Sequence, residues 1–298
     1  MLNALTVDVE DYYQVSAFES VVRFEDWDRY ESRVERNTHR VLDLLDEYQT
    51  KGTFFVLGWI AERHPELVRL IHRRGHEVAS HGYAHKRIYT QAPEQFREET
   101  RRCKNLLEDL IGEPILGYRA ASYSITAQSL WALEILAEEG FCYDSSIFPI
   151  RHDLYGIPGH QRFFHHLNGN GPRAIAEVPL STVRIAGNNF PVAGGGYLRI
   201  FPYAVNHLAI RHLNHNEMQP AVVYFHPWEL DPGQPRMPGA WLSRFRQYTN
   251  LSRLEARLRK LLARFSFGPL REVHAVNLRR QPARDKPVIS EIFYESHR

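Results

Sequence analysis

The 298-residue sequence predicts an α/β fold on a mostly parallel sheet. Short β-branched and aromatic runs alternate with stretches of helical periodicity, at least five times in succession. Glycine or proline punctuates most of the boundaries, as at Pro65, Gly75, Pro93, Gly112 and Gly140. Several of the apolar runs also end on a residue able to do chemistry.

Residues 4–9 read as the first buried strand. After a long connection a helix is expected to open near Asn37 or Thr38, with Val41, Leu44, Leu45 and Tyr48 on one face. Residues 53–57 are the next strand. A helix from Pro65 carries Leu67, Leu70 and Ile71 to a stop at Gly75, and residues 77–80 follow as a strand. Pro93 starts a helix with a stripe of Phe96, Cys103, Leu107 and Leu110 that Gly112 ends. Strands are expected at 115–119 and 141–145, with a helix over 127–139 between them. Between residues 150 and 172 the pattern fails, and Gly, Pro, His and Asn mark an ordered surface excursion. Later strands are read at 176–183 and 221–225, separated by the glycines 194–196 and a helix around 205–214. A last helix spans 251–265, basic outside and apolar at Leu254, Leu258, Leu261 and Leu262.

Composition narrows the function. Lys and Arg number 37 against 35 Asp and Glu, a net charge of +2, so no global field marks a nucleic-acid or anionic-membrane binder. The two cysteines, Cys103 and Cys142, form no CxxC pair, which argues against a disulfide framework or thiolate zinc site. The opening residues lack the basic and long apolar segments of a signal peptide, and no apolar run approaches the roughly 20 residues of a membrane helix. A location in the cytoplasm or at the cytoplasmic membrane face is therefore expected.

Five expected strands run into Asp8 with Glu10, His81, Arg119, Asp144 and His226. In a parallel barrel the C-terminal strand ends share one rim, where residues distant in sequence converge. His81 and His85 have HxxxH spacing, which suits one cation if the chain turns helically after Gly82. Strand period puts Asp8 and Glu10 on one face with Asp11 beyond, in the turn. Two carboxylates near one metal can divide the work, one ligating and one taking a proton from water. A carboxylate inside an apolar strand needs a partner, for which Arg119 is the candidate. His226 sits between the most apolar strand and a proline, where a leaving group could be protonated. Asp144 is expected to pair with Arg119 or His226. Tyr12, Tyr13, Tyr123, Phe148 and Trp228 are candidate aromatic surfaces for a sugar ring, and the loop near Tyr123 a candidate source of an oxyanion N–H. His165 and His166 are read as lining the excursion.

Together, the segments TVDVEDYYQVSAFE, SHGYAH, GYRAASYSI, YDSSIFPIRHDLYGIP, GGGYLR and YFHPWELDP resemble polysaccharide deacetylases of the NodB-homology type, carbohydrate esterase family four. The resemblance covers about residues 1–235 and is closer still to the branch found with exosortase/PEP-CTERM exopolysaccharide loci; the remainder resembles that branch's C-terminal extension. It implies a distorted (β/α) barrel of about seven parallel strands with a C-terminal helical extension, forming one domain over residues 1–275 and leaving 276–298 as a tail. It further implies N-deacetylation of an exopolysaccharide or its precursor with one divalent metal, zinc by expectation. Asp8 corresponds to the base, His81 and His85 to metal ligands, His226 to the acid and Arg119 to the arginine that orients the base. Tyr123, Asp144 and Trp228 are assigned to substrate. This sequence departs from the family at DVED, where Glu10 or Asp11 supplies the metal carboxylate and strand phase favours Glu10, and at Arg119-Ala120-Ala121, where the family has a proline. The competing expectations are a small cyclic amide hydrolase on the same fold and a non-catalytic glycan-binding protein.

Overall fold

The computed structural model describes residues 1–167 and 174–274; the expected tail at 276–298 lies outside the described residues. The first strand, β1 (Leu2–Val9), is followed by helix α1 (Val34–Glu47), β2 (Thr53–Val56), α2 (Gly58–Arg63), α3 (Pro65–Arg73), β3 (Glu77–Ser80) and α4 (Pro93–Ile111). Next come the short β4 (Gly117–Tyr118), α5 (Trp131–Glu138), the short β5 (Tyr143–Asp144), β6 (His165–Leu167) and β7 (Ile175–Glu177). The hairpin β8 (Thr182–Ile185) and β9 (Asn188–Pro191), α6 (Gly196–Ile200), α7 (Tyr203–His215) and β10 (Val222–Phe225) follow. The chain continues through α8 (Trp241–Tyr248), α9 (Leu251–Leu262), β11 (Ser266–Gly268) and α10 (Leu270–Val273).

Among the described residues the main sheet runs β10-β1-β2-β3-β4-β5-β7-β6, with β11 also paired to β1. Every pairing along it is parallel except β6 with β7, so seven consecutive strands lie parallel. The result is a curled, mostly parallel sheet of the expected kind, and its central strands are buried on both faces because helices cover one side. Strand alternation sorts the core into two layers. Leu5, Val7, Val9, Phe54, Val56 and Val78 pack toward the helices, whereas Ala4, Phe55, Ala79, Tyr143, Val222 and Tyr224 line the other face.

Register fixes what stands at the rim. Val9 pairs with Val56, Val56 with Ser80, Ser80 with Tyr118, and Tyr118 with Asp144, which pairs with Glu177. One residue further along each chain stand Glu10, His81, Arg119 and Ser145. Val7 pairs with Phe225, which puts His226 level with Asp8. Gly194 is required where its backbone lies on Tyr224, because a Cβ there would come within 1.8 Å of the ring.

Several sequence expectations need correction. Helix α1 opens at Val34 rather than near Asn37, because Asp11 Oδ2 accepts the N–H groups of Arg33 (2.6 Å) and Val34 (3.0 Å). The single strand expected over 176–183 is two strands in different sheets, interrupted at Pro179, which lacks an N–H for the ladder. The excursion after residue 150 contains β6, an antiparallel edge strand, and β4 and β5 are shorter than expected. Helix α5 starts at Trp131 after a turn in which Ser129 Oγ accepts from Thr126 N. Helices α2 and α8 and strand β9 went unread.

Asp144 and Glu177 face each other on the helix side of the sheet, fully buried. Burial pushes both carboxyls up, and Glu177, raised further by Asp144, is the one that keeps its proton and donates to its neighbour. A carboxyl raised on folding contributes stability below its unfolded pKa and loses that contribution as pH rises through the folded value. Glu177→Gln keeps a donor toward Asp144 and an acceptor for Ile147 N but removes the titration. Its melting temperature should match wild type at mildly acidic pH and exceed it by about 2–4 °C at mildly alkaline pH, read by calorimetry.

Candidate active site

Asp8 projects from β1 on the same face as Thr6 and Glu10, and only 2% of it is exposed. Arg119, with no exposed surface, crosses to it from the end of β4. Arg119 Nη1 donates to Asp8 Oδ1 (2.7 Å) and to Thr6 Oγ1 (2.8 Å). Nη2 donates to Ser145 Oγ (2.9 Å), Nε donates to the Ser145 carbonyl (3.1 Å), and the guanidinium lies 4.1 Å over the Phe55 ring. Burial disfavours the cation, but Asp8 outweighs it and the Arg119 pKa is raised. Tyr123 donates its hydroxyl to Asp8 Oδ2 at 3.2 Å. Asp8 is thus oriented from both oxygens.

Beside it, Glu10, His81 and His85 bring one ligand atom each to within 4.8 Å of one another. His81 Nδ1 lies 2.8 Å from the Arg119 carbonyl oxygen. A carbonyl only accepts, so Nδ1 carries the hydrogen and Nε2 keeps its lone pair. Burial lowers the His81 pKa to about 4, which keeps the ring neutral. Glu10 is held ionised: burial, which would raise it, is overcome by His85 and His226, and its pKa falls to about 2. Glu10 Oε2 is buried, and its nearest partner atom is His85 Nε2, its fellow candidate ligand, at 2.9 Å. Two imidazoles and a buried carboxylate whose ligand atoms cluster this tightly fit a divalent cation with positions left open.

His226 faces this pair of carboxylates from the end of β10. Its Nε2 lies 3.5 Å from Glu10 Oε1 and 3.9 Å from Asp8 Oδ2. Its Nδ1 lies 3.0 Å from Glu229 Oε2, and Glu229 Oε1 accepts from Arg199 Nε. Burial would lower the His226 pKa, but Glu10, Glu229 and Asp8 outweigh it and raise it to about 9. Glu229 itself falls to about 2, since Arg199 and His226 overcome its burial. The imidazole is therefore a charged donor whose free edge points at the cluster. Trp228 stacks on it with ring centroids 5.0 Å apart and donates Nε1–H to Glu10 Oε1 at 3.1 Å.

The structure thus brings Asp8, Glu10, His81, His85, Arg119, Tyr123, His226 and Trp228 together. Asp11, the alternative metal carboxylate, points away. Its Oδ2 accepts from Ser32 Oγ, Arg33 N and Val34 N and its Oδ1 from Tyr12 N, so it caps α1. Asp144 does not pair with His226, and the Arg119 guanidinium bonds Asp8, Thr6 and Ser145 instead. Asp144 accepts from Ser146 N and Oγ and meets Glu177, so its substrate-binding assignment is corrected. Trp228 is buried and spends its one donor on Glu10, which makes it a positioning residue rather than a sugar platform. The Tyr123 N–H is taken by the Ala120 carbonyl, so that amide is no oxyanion donor; its hydroxyl serves Asp8 instead. Tyr12, Tyr13 and Phe148 are core residues. His165 lies on β6 beside His160, with ring centroids 5.0 Å apart, and His166 is exposed. Sequence reasoning missed Glu229 and Arg199. The only local signal was Glu229 three residues after His226, where its carboxylate also accepts the His226 N–H (3.0 Å).

Residues 19–138 match the family described as Polysaccharide deacetylase, and residues 145–275 match the Domain of unknown function (DUF3473). The first match holds His81, His85, Arg119 and Tyr123; the second holds Arg199, His226, Trp228 and Glu229; Asp8 and Glu10 precede both. The chain is 29% identical over 144 residues to the peptidoglycan deacetylase-like protein FGM2 of Gibberella zeae, covering 48% of this chain and 39% of that protein. It spans about two fifths of the length of the curated relatives it matches first. A solved Mycobacterium smegmatis structure, provisionally described as a polysaccharide deacetylase, is 25% identical with a TM-score of 0.60, over 95% of this chain and 93% of that one. Puue allantoinase shares the fold at 14% identity and a TM-score of 0.57, over 92% and 90%. Residues 19–138 are thus similar to polysaccharide deacetylases and residues 145–275 to the DUF3473 family, and the chain as a whole shares the fold of the Mycobacterium smegmatis structure.

Proposed function

We propose that this protein is a metal-dependent hydrolase that removes N-acetyl groups from sugar residues of an exopolysaccharide or its precursor. The observation that carries the reading is the division of labour between two carboxylates. Glu10 joins the two histidines, whereas Asp8 stands beside them with its own cation and a hydroxyl. A glycan-binding surface has no use for a base, an acid and a ligand set converging at buried strand ends.

Glu10, His81 and His85 would hold the cation, zinc by preference of the donor set, and its chemistry there is to polarise the acetamide carbonyl and a water. Asp8 takes a proton from the water as its oxygen adds to the carbonyl carbon. Arg119 and Tyr123 keep Asp8 aimed. The C–N bond then breaks while His226 gives its Nε2 proton to the departing sugar amine, leaving acetate and a free amine. Glu229 holds the His226 ring through Nδ1, and Arg199 holds Glu229.

The exopolysaccharide assignment is supported by the resemblance of SHGYAH, YDSSIFPIRHDLYGIP and YFHPWELDP to that branch. A cytoplasmic or membrane-face location, where a lipid-linked precursor would be met, belongs to the same reading. We take residues 1–275 as one catalytic unit, because β1 holds Asp8 between β2 and the late strand β10. The likeness to allantoinase is one of fold and brings no substrate with it.

Acetate release from N-acetylated oligosaccharides should require added zinc and vanish with a chelator. Asp8→Asn and His226→Ala should each lower kcat by about 10²–10⁴-fold with metal still bound. Metal-loaded protein that releases no acetate, or that opens small cyclic amides instead, contradicts the proposal. Calorimetric zinc titration separates the two candidate ligands. Glu10→Gln should weaken binding on the order of 100-fold, whereas Asp11→Ala should leave it intact and destabilise the fold by about 2–3 kcal/mol through unsatisfied N–H groups.

A further inference from the structure

Helix α8 turns its apolar side outward. Trp241 is 76% exposed, Phe245 48% and Leu242 41%. At 100° per residue these three fall within an arc of about 100°, and Gln247, the buried residue of the helix, lies opposite its centre. The apolar face therefore points away from the body of the protein. Arg244 and Arg246 flank the arc on either side, both exposed. Between Asp231 and Glu255 the sequence has no acidic residue and four arginines, at 236, 244, 246 and 253. The helix is nonetheless firmly tied down. Gln247 Nε2 donates to the Tyr12 carbonyl and to Gln234 Oε1, and Arg199 donates to the carbonyls of Arg246, Gln247 and Thr249. Phe18 stacks on Tyr248.

We infer that α8 is an interfacial membrane-binding element that seats the protein on an anionic lipid surface. Trp241, Leu242 and Phe245 enter the boundary between headgroups and acyl chains, and the flanking arginines engage lipid phosphates. Charge decides between occupants. A second copy would bring two arginine-flanked helices together and set like charges against each other, whereas anionic headgroups complement them. No helix among the described residues is long and apolar enough to cross a membrane, so the contact would be peripheral. Arg199 also pairs with Glu229, which holds His226, so the docking helix and the catalytic histidine are fixed by one buried side chain. Seating α8 on a bilayer thus sets the position of the active site relative to the surface.

The test is co-sedimentation of the full chain with phosphatidylcholine vesicles containing one third phosphatidylglycerol, beside vesicles of phosphatidylcholine alone, at low salt. The protein should pellet with the anionic vesicles and be released by salt. Trp241→Ala with Phe245→Ala should weaken binding by about tenfold or more, and each arginine changed to glutamine (R244Q, R246Q) by about fivefold. Acetate release from soluble oligosaccharides by the Trp241/Phe245 variant should stay at the wild-type rate. A blue shift of tryptophan fluorescence on vesicles, lost in Trp241→Phe, would locate the contact. Failure to pellet with anionic vesicles, or pelleting unchanged in both sets of variants, overturns the inference. So does a dimer in solution that Trp241→Ala dissolves, which would assign the face to a second copy.

Discussion

A guanidinium with no access to water sits across the ends of β1 and β4, and the site is arranged around it. Arg119 is affordable there only because Asp8, Thr6 and Ser145 between them engage all three of its nitrogens. The pairing does two things at once. It gives a carboxylate inside an apolar strand its counter-ion, and through its own backbone carbonyl Arg119 also sets the tautomer of His81. One residue thereby orients both the proposed base and a candidate metal ligand. Removing it would leave Asp8 as a buried, uncompensated charge, a loss of about 3–5 kcal/mol.

The second half of the chain supplies the complementary part. Glu229 and Arg199 form a buried pair behind His226, and Arg199 also gathers the carbonyls at the end of α8. His226 links the two ion pairs, its Nδ1 3.0 Å from Glu229 and its Nε2 3.9 Å from Asp8, and Trp228 bridges from the His226 ring to Glu10. The residues of the DUF3473 match are therefore structural partners of those in the deacetylase match, since His226 lies in the one and His81 and His85 in the other.

Much of the site was legible because chemistry-bearing residues end apolar runs, and parallel strands deliver such ends to one rim. Asp8, His81, Arg119 and His226 all follow that logic. Strand period sets Glu10 apart from Asp11, and in the structure Asp11 has left the strand and accepts the N–H groups at the start of α1. The same logic misplaced Asp144. A strand end gives the row but not the face, and Asp144 stands in register with Tyr118 and Ser80, which point to the helices. Arg199 was invisible for another reason. Its partners are three carbonyls about fifty residues on and one carboxylate thirty residues on, and no local pattern records such distances. Helix α8 was missed because it buries almost nothing, so it lacks the inward apolar stripe by which helices are read.

The central claim is that Glu10, and not Asp8 or Asp11, completes the cation site while Asp8 stays free as the base. Anomalous diffraction from crystals grown with zinc tests it directly. The account predicts one peak bonded by Glu10 Oε2, His81 Nε2 and His85, with Asp8 still paired to Arg119. A peak bonded by the Asp8 carboxylate, or one on Asp11 with α1 uncapped, would contradict it.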